Sequence, residues 1–316
     1  MATAKKMSLG IIGLGKMGGN LALQAVEKGI TVVGKARSKK PHLERKGIKV
    51  VDDYKSFISL VEPPRVIYLS LPAGASVDTV LKELVPYLDK GDVVMDGGNS
   101  FYLDSIRREK EMGDKGIYFL DCGTSGGVEG ARNGACFMVG GKREGIKLAE
   151  PILTLLAVEG GSVHTGEPGS GHFVKLVHNG IEFGMLQAIG EGVALLRGSG
   201  FTLDLAEIFK IWSHGSVIRG WLVELMEKGL REQNFDAIES YVEDTGEVNW
   251  LVQDALNKEI PIPVIAQSIM ELFKSREKDS DTYRAIALMR HGFGGHPLGK
   301  DEYIAKERKM SRISKI

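Results

Sequence analysis

LGIIGLGKMG, residues 9–18, is the strongest indication of the fold of the amino-terminal half. An apolar strand pattern, Leu9–Ile12, leads directly into GxGxxG, and a helical pattern of apolar residues follows. A dinucleotide-binding fold requires this order, because Gly13 permits a tight turn, Gly15 admits a pyrophosphate and Gly18 lets helix pack on strand. The alternative is a glycine-rich turn without a ligand. We predict that the turn binds a dinucleotide through Gly13, Leu14, Gly15, Lys16, Met17 and Gly18.

The segment after the second predicted strand, Thr31–Val33, indicates which dinucleotide binds. An NAD-selective fold usually places an acidic residue here, where it accepts hydrogen bonds from the ribose hydroxyls. This chain instead reads Gly34-Lys35-Ala36-Arg37-Ser38-Lys39-Lys40. Arg37 can clamp a 2′-phosphate, and Ser38 can donate a hydrogen bond to it. The segment predicts NADP as the cofactor, and the alternative is a solvated basic loop.

Strands and helices alternate through the rest of this half. Strand-like runs recur at Val66–Leu69, Val93–Met95 and Tyr118–Leu120, and helical stretches at Ser76–Leu88 and Tyr102–Lys115 separate them. This alternation predicts a Rossmann-like, doubly wound parallel sheet. Ligands bind beyond the carboxyl ends of such strands.

Three polar, glycine-rich segments follow those strands and predict a ligand cleft at one edge of the sheet. They are Leu71–Gly74, Asp96–Ser100 and Asp121–Gly127. We interpret all three as loops, and we assign Leu71 and Pro72 of the first to the cofactor.

The strand pattern fades after residue 168, and long apolar helical patterns replace it. Helices are predicted at about His172–Arg197, Leu205–Trp212, Ile218–Lys228, Asn249–Asn257 and Pro263–Lys274. We therefore expect a dinucleotide-binding domain over residues 1–168. We expect it to be followed by an all-helical domain for substrate binding and dimerisation over residues 169–296, and then by a basic tail over 297–316.

One helix is apolar around much of its circumference, so we expect it to be buried, yet it also carries a polar stripe. Lys175, His178, Asn179 and Glu182 stand at i, i+3, i+4 and i+7, so they share one helix face. Burying such groups without partners is costly. The stripe is therefore an internal Lys–Glu ion pair or the wall of an active site. Its composition favours the second interpretation, because a lysine and a glutamate in a cleft provide a base and an acid.

The bulk composition excludes several classes of protein. Lys+Arg and Asp+Glu are equal at 41 each, which favours neither nucleic acid nor an anionic membrane as a partner. No apolar run approaches the roughly 18–20 residues that span a bilayer, and the amino terminus does not read as a signal peptide. Cys122 and Cys136 lack metal-ligand spacing, so we expect two buried, reduced thiols, no metal and a cytoplasmic protein.

The sequence resembles the 6-phosphogluconate dehydrogenase family, in its short bacterial form, within the wider β-hydroxyacid dehydrogenases. The resemblance rests on GSGHFVKLVHNGIEF (residues 169–183), DGGNS (96–100) and SGG (125–127), and it covers most of the chain. It implies that Asn99 lies between nicotinamide and substrate. It also implies that Ser125, Gly126 and Gly127 hold the substrate carboxylate.

The resemblance further implies the roles of the polar stripe. Lys175 is the general base and Glu182 the acid, while Asn179 and His178 hold the substrate hydroxyls. Arg290 and His296 keep the spacing of a family pair that reaches into a partner subunit's site, in a homodimer or homotetramer. The implied reaction is NADP-dependent oxidative decarboxylation of 6-phosphogluconate to ribulose 5-phosphate, in the pentose phosphate pathway and gluconate utilisation.

The distal end of the implied substrate site departs from the family pattern. Phe183 replaces a tyrosine, Leu272 an arginine and Val128 a glutamate, and the loop Asp244–Trp250 is acidic. Arg290 remains, and Lys274 or Arg276 could substitute for the missing arginine. Two alternatives stay open. One is the same chemistry on an aldonate with a sulfonate or no distal anion, and the other is a non-decarboxylating β-hydroxyacid dehydrogenase. A catalytically silent nucleotide-binding regulator is disfavoured, because it should have lost Lys175.

Overall fold

The computed structural model describes residues 7–305, and residues 306–316 of the predicted basic tail lie outside that range. The chain forms two compact units that divide between Leu176 and Val177. Helices dominate the second unit, whereas the first contains a single sheet of eight strands. No helix among residues 7–305 combines the length and the apolar character needed to cross a bilayer.

The sheet is built on the predicted nucleotide-binding topology. Its strand order is β3-β2-β1-β4-β5-β6-β7-β8, and every neighbouring pair is parallel except β6–β7. The strands are β1 (Ser8–Ile12), β2 (Thr31–Lys35), β3 (Lys49–Val51), β4 (Val66–Leu69), β5 (Val93–Asp96), β6 (Tyr118–Ser125), β7 (Ala135–Gly140) and β8 (Ala157–Gly166). The strand order reverses between β1 and β4, which is where such folds bind ligands.

Helices cover both faces of the sheet. They are α1 (Lys16–Glu27), α2 (Pro41–Glu44), α3 (Tyr54–Leu60), α4 (Ala75–Leu84), α5 (Tyr102–Gly113), α6 (Gly127–Asn133) and α7 (Arg143–Leu156). Alternating strand residues feed two cores. Ile11 packs in one core with α1 and α7, and Ile12 packs in the other with α3, α4 and α5. The predicted Rossmann-like architecture is therefore confirmed.

The segment Asp121–Ser125 was predicted as a loop, and that prediction is wrong. Strand β6 continues to Ser125, because residues 121–125 pair with Cys136–Gly140 of the antiparallel strand β7. The prediction of a parallel sheet also missed β3, β7 and β8. Strand β7 exposes Cys136, so the expectation that both thiols are buried is also wrong, whereas Cys122 is fully buried and its burial raises its pKa.

The helical half begins with α8 (Ser170–Arg197), a helix of 28 residues that runs from the first unit into the second. It is followed by α9 (Leu205–Ser213), α10 (Trp221–Glu232), α11 (Val248–Asn257), α12 (Pro263–Lys274) and α13 (Asp281–Gly294). Helix α10 starts three residues later than predicted, after Gly220. The predicted burial of α8 holds only in part, because Ile181 and Met185 are exposed in the single chain.

Candidate active site

The glycine turn at the carboxyl end of β1 has the geometry of a dinucleotide cradle. Gly13 has φ +96°, and a Cβ there would lie 2.2 Å from the carbonyl oxygen of Ser70. A Cβ at Gly18 would lie 2.0 Å from the carbonyl oxygen of Gly13. Packing therefore explains both glycines. A Cβ at Gly15 would meet no other described atom within 4 Å, so that face is open for a pyrophosphate at the start of α1.

The end of β2 presents basic side chains to solvent. Arg37, Ser38 and Lys39 are all exposed. Strand β3 pairs alongside and brings Asp53 to the same edge, but its carboxylate accepts a hydrogen bond of 2.8 Å from the Ser56 amide and caps α3. Hydrogen bonds from Ser56 lower the pKa of Asp53. Asp53 is thus used within the protein, and the exposed Arg37 and Ser38 are accessible to a phosphate.

The loop that carries Asn99 is organised by Asp96, the last residue of β5. The fully buried Asp96 carboxylate accepts hydrogen bonds from the Gly98 amide at 3.1 Å and the Ser100 hydroxyl at 2.7 Å. Gly97 lies so close to Tyr68 that a Cβ would come within 2.0 Å of its ring. Asn99 itself is exposed. The hydrogen bonds to Asp96 and the packing on Tyr68 therefore hold the loop in place, while the side-chain amide of Asn99 stays accessible to a ligand.

Arg108 of α5 joins this loop to the one that follows β4. Its side chain is fully buried and donates to the Asp96 carboxylate at 3.3 Å, to Asp78 of α4 at 2.8 Å and to the Gly74 carbonyl at 3.1 Å. Leu71 and Pro72 begin the segment that ends at Gly74. Arg108 thus links two of the three segments predicted to line the cleft.

The start of α8 is anchored on Asp121, which pairs with Asp96 in the register of β5 and β6. One Asp121 oxygen accepts the Gly169 amide and the other accepts the His172 amide, both at 2.8 Å. A Cβ at Gly171 would lie 2.4 Å from the Asp121 carbonyl oxygen. A buried carboxylate at the start of a helix accepts hydrogen bonds from amides that have no partner within the helix. Its negative charge also interacts favourably with the helix dipole. The first turn of α8 therefore rests directly on β6.

Lys175 lies one turn further along α8 and also packs against β6. Its side chain is 7% exposed, and a Cβ at Gly123 of β6 would lie 2.5 Å from the Lys175 Cβ. Ser125 stands two residues beyond Gly123 and so on the same side of the strand. Gly126 and Gly127 follow with φ +112° and +59°, conformations that favour glycine. The structure thus brings Lys175 to the strand that ends in the predicted carboxylate-binding residues.

The rest of the polar stripe lies further along α8. Asn179 is buried, and its Oδ1 lies 3.2 Å from His178 Nδ1. Glu182 is half-buried, with an oxygen 3.9 Å from the same His178 nitrogen. Lys175, Asn179 and Glu182 follow one another at one-turn intervals, as the sequence predicted.

Among the distal residues of the predicted site, Arg290 lies next to Phe183, which follows Glu182 in the chain. The buried Arg290 guanidinium lies 5.0 Å from the centre of the Phe183 ring and donates to the Glu243 carbonyl at 2.9 Å. His296 follows α13, and its ring packs edge-on against Phe293 with centroids 5.8 Å apart. Arg290 thus contacts residues of its own chain.

Of the two residues proposed to replace the missing arginine, Arg276 and Lys274, only one is shown in contact with the loop that follows Glu243. Arg276 donates to the Asp244 carboxylate at 2.7 Å, whereas Lys274 is mostly exposed and pairs with Glu271. The Arg276 Nε is buried and has no hydrogen-bond partner among residues 7–305. Leu272, at the family's arginine position, is buried in the helical unit. Arg276 is therefore the cation that contacts the loop.

Sequence reasoning missed four residues that organise this site: Asp121, Arg108, His172 and Ser105. His172 is 2% exposed, and its ring bonds to Ser105 and to the Asp96 carbonyl. For Asp121 the sequence did carry a signal, because Asp121 and Asp96 occupy equivalent positions of two adjacent strands. His172 and Arg108 had no signal, because their partners are distant in sequence.

Comparison with known proteins covers almost the whole chain. Residues 8–166 match the NAD binding domain of 6-phosphogluconate dehydrogenase, and residues 171–314 match the C-terminal domain of 6-phosphogluconate dehydrogenase. Both matches agree with the division into a nucleotide-binding fold and a helical half.

Individual relatives are similar over their full length or most of it. YqeC of Bacillus subtilis (strain 168), whose name as a 6-phosphogluconate dehydrogenase is itself provisional, is 44% identical over 93% of this chain and 100% of its own. An NAD(+)-dependent, decarboxylating 6-phosphogluconate dehydrogenase of Haloferax volcanii is 38% identical, covering 94% of this chain and 100% of its own. The solved 6-phosphogluconate dehydrogenase of Plasmodium falciparum superposes with a TM-score of 0.77 at 26% identity, covering 89% of this chain and 70% of that one. The chain belongs to the 6-phosphogluconate dehydrogenase family.

Proposed function

We propose that this oxidoreductase catalyses the NADP-dependent oxidative decarboxylation of 6-phosphogluconate to ribulose 5-phosphate, a step of the pentose phosphate pathway and of gluconate utilisation. One observation carries the proposal. Lys175 is buried against Gly123 of β6, the strand that ends in Ser125, and α8 continues from it through Asn179 and Glu182 at one-turn intervals. A base and an acid on one helix face, with the base packed on the strand that leads into the predicted carboxylate-binding turn, suit decarboxylation of a β-hydroxyacid.

NADP fits the residues at the sheet edge. The open face of Gly15 accommodates the pyrophosphate, and Arg37 and Ser38 would bind the 2′-phosphate. Asp53, an acid near that edge, already caps α3. When bound, the nicotinamide supplies the hydride acceptor, and Asn99, Leu71 and Pro72 would contact that end. The Haloferax volcanii relative is named NAD(+)-dependent, so the choice between cofactors needs a direct test.

The side chains then divide the chemistry between them. Lys175 removes the proton of the substrate's β-hydroxyl while hydride leaves the same carbon. The resulting β-keto acid loses carbon dioxide, and the protonated Lys175 stabilises the negative charge that develops on the keto oxygen. Glu182 then protonates the enediol carbon to give the ketose. Ser125, Gly126 and Gly127 hold the carboxylate, and Asn179 and His178 hold hydroxyls.

The residues near the distal end of the substrate support two candidate substrates. Arg290 supports a phosphate, and His296 would join it, from this chain or from a partner subunit. Phe183 offers a ring where the family has a hydroxyl, and Asp244 already neutralises Arg276. This favours one second candidate: the same chemistry on an aldonate with a weaker distal anion or none, such as 6-sulfogluconate or gluconate. A non-decarboxylating dehydrogenase, by contrast, would not need Glu182.

The experiment is a comparison of specificity constants. The purified protein is assayed with 6-phosphogluconate, 6-sulfogluconate and gluconate, each with NADP and with NAD. We expect the largest kcat/KM for 6-phosphogluconate with NADP. Equal kcat/KM for gluconate and 6-phosphogluconate would remove the phosphate assignment, and a preference for NAD would remove the cofactor assignment.

We also propose a cytoplasmic homodimer or homotetramer. Apolar side chains of the helical unit, among them Leu195, Phe201 and Val217, are exposed in the single chain. Surfaces of this kind favour association. Light scattering on the purified protein should give a mass of two or four chains, and a monomer at micromolar concentration would refute this part of the proposal.

A further inference from the structure

His172 is a buried histidine that contacts two separate parts of the sheet edge. It lies in the first turn of α8, three residues before Lys175, and is 2% exposed. Its backbone amide donates to the Asp121 carboxylate at 2.8 Å. Its ring Nε2 lies 3.0 Å from the carbonyl oxygen of Asp96, and its Nδ1 lies 2.7 Å from the Ser105 hydroxyl. One residue thus joins the ends of β5 and β6.

These partners assign the tautomer of the ring. A carbonyl oxygen can only accept, so Nε2 carries the proton and donates it to Asp96. The Nδ1 of the neutral ring then accepts from the Ser105 hydroxyl. Both ring nitrogens are satisfied in the neutral form, which suits a side chain without access to water. His172 is therefore a hydrogen-bonded bridge whose two ring nitrogens are both engaged within the protein.

The bridge lies between the two segments that carry the proposed chemistry. Asp96 starts the loop that holds Asn99, and α8 holds Lys175 one turn after His172. The Asp96 side chain organises its loop, and the Asp121 side chain anchors the helix. Neither of these carboxylate contacts joins the loop to the helix, whereas the His172 ring does.

We propose that His172 is a positioning residue that fixes Lys175 relative to Asn99 through the hydrogen bond to the Asp96 carbonyl. This inference rests on the proposed roles of Lys175 and Asn99. Displacement of a catalytic group by about 1 Å can cost about 100-fold in rate. Loss of the bridge should therefore lower turnover more than it weakens binding of either ligand.

The test compares two substitutions that differ in reach. His172→Gln places a donor near the position of Nε2, whereas the side chain of His172→Asn is too short to reach Asp96. We expect His172→Asn to lower kcat by about 10- to 100-fold, with little change in the NADP dissociation constant, and His172→Gln to recover most of that loss. His164→Gln is the matched control, because His164 Nε2 also contacts two backbone carbonyls, those of Gly141 and Gly166, but touches neither segment.

The substrate is whichever of 6-phosphogluconate and gluconate the wild type oxidises faster. A preference for gluconate then overturns the proposed phosphate but leaves this test intact. Wild-type kcat in His172→Asn, or equal losses in both His172 variants together with equal falls in melting temperature, would overturn the positioning role. Nitrogen-15 NMR of labelled histidines provides a measurement independent of turnover: we expect the His172 proton on Nε2, and a proton on Nδ1 alone would contradict the bridge.

Discussion

The sheet edge and the distal segment, which comprises Phe183, Asp244, Arg276 and Arg290, hold their polar side chains in different ways. At the sheet edge, Asp96 and Asp121 are buried carboxylates that accept hydrogen bonds from backbone amides of the Asn99 loop and of the start of α8. In the distal segment, the cations are engaged instead by protein acceptors. Arg276 pairs with Asp244, and Arg290 donates to a backbone carbonyl.

This difference indicates that the residues proposed for the chemical steps are held differently from those proposed to select the substrate. Groups fixed by buried carboxylates are positioned before any ligand arrives, which is what a base and a nicotinamide site require. Cations already bonded to protein acceptors must share or exchange those bonds when an anion binds. We therefore expect substitutions at the sheet edge to change turnover and substitutions at the distal segment to change substrate affinity.

The largest effect should follow Lys175→Met. A positioned base typically contributes about 10²- to 10⁴-fold, so kcat should fall by at least about 100-fold while NADP binding stays intact. Stopped-flow absorbance of NADPH formation measures the step, and fluorescence titration measures binding. Retention of more than about a hundredth of the rate would show that another group is the base.

Arg290→Ala tests the distal segment. The arginine would bind substrate away from the reacting carbons, so the KM for 6-phosphogluconate should rise by about 10- to 100-fold with a smaller change in kcat. Gluconate provides the internal control, because its KM should not change. A similar rise for both substrates would indicate that Arg290 supports the local fold and does not bind a distal anion.

Arg37→Ala should produce an intermediate effect that is confined to the cofactor. Loss of a charge-assisted contact to the 2′-phosphate should raise the NADP dissociation constant by about tenfold or more. The NAD dissociation constant should stay almost constant. Equal weakening of both cofactors would mean that Arg37 only stacks on the adenine ring.

The smallest effect distinguishes two neighbouring cations. Arg276→Ala removes the residue that contacts the Asp244 loop, and we expect the KM for 6-phosphogluconate to rise about threefold, because part of the arginine's charge is already neutralised. Lys274→Ala is the matched control, with an exposed side chain paired to Glu271, and should leave KM unchanged. The reverse ranking would place Lys274 in the distal site.

Local patterns predicted much of the fold. Leu9–Ile12 and Val66–Leu69 are continuous apolar runs bounded by turn residues, and the structure places β1 and β4 there. The polar segment Asp121–Ser125 is a strand because β7 pairs with it. The apolar run of β7, Ala135–Val139, has the same pattern as β1 and β4, but we did not predict it as a strand. Strand β8 is glycine-rich and largely solvent-facing at the sheet edge, so it lacks the apolar signal of a buried strand.

In the candidate site, too, residues that are close in sequence were predicted, and residues that depend on distant partners were not. Helical spacing alone placed Lys175, Asn179 and Glu182 on one face, because those residues are neighbours in sequence. The role of His172 depends on Ser105 and Asp96, which lie 67 and 76 positions away in the chain. Contacts of that range arise from tertiary packing, and a single sequence carries no local signal for them.

The most direct test of the proposed reaction is the ratio of carbon dioxide released to NADPH formed. The assay uses 6-phosphogluconate labelled with carbon-13 at the carboxylate, with NADPH read by absorbance and labelled carbon dioxide by membrane-inlet mass spectrometry. We predict one carbon dioxide per NADPH throughout the reaction. NADPH formation without carbon dioxide would contradict the account and identify a non-decarboxylating β-hydroxyacid dehydrogenase.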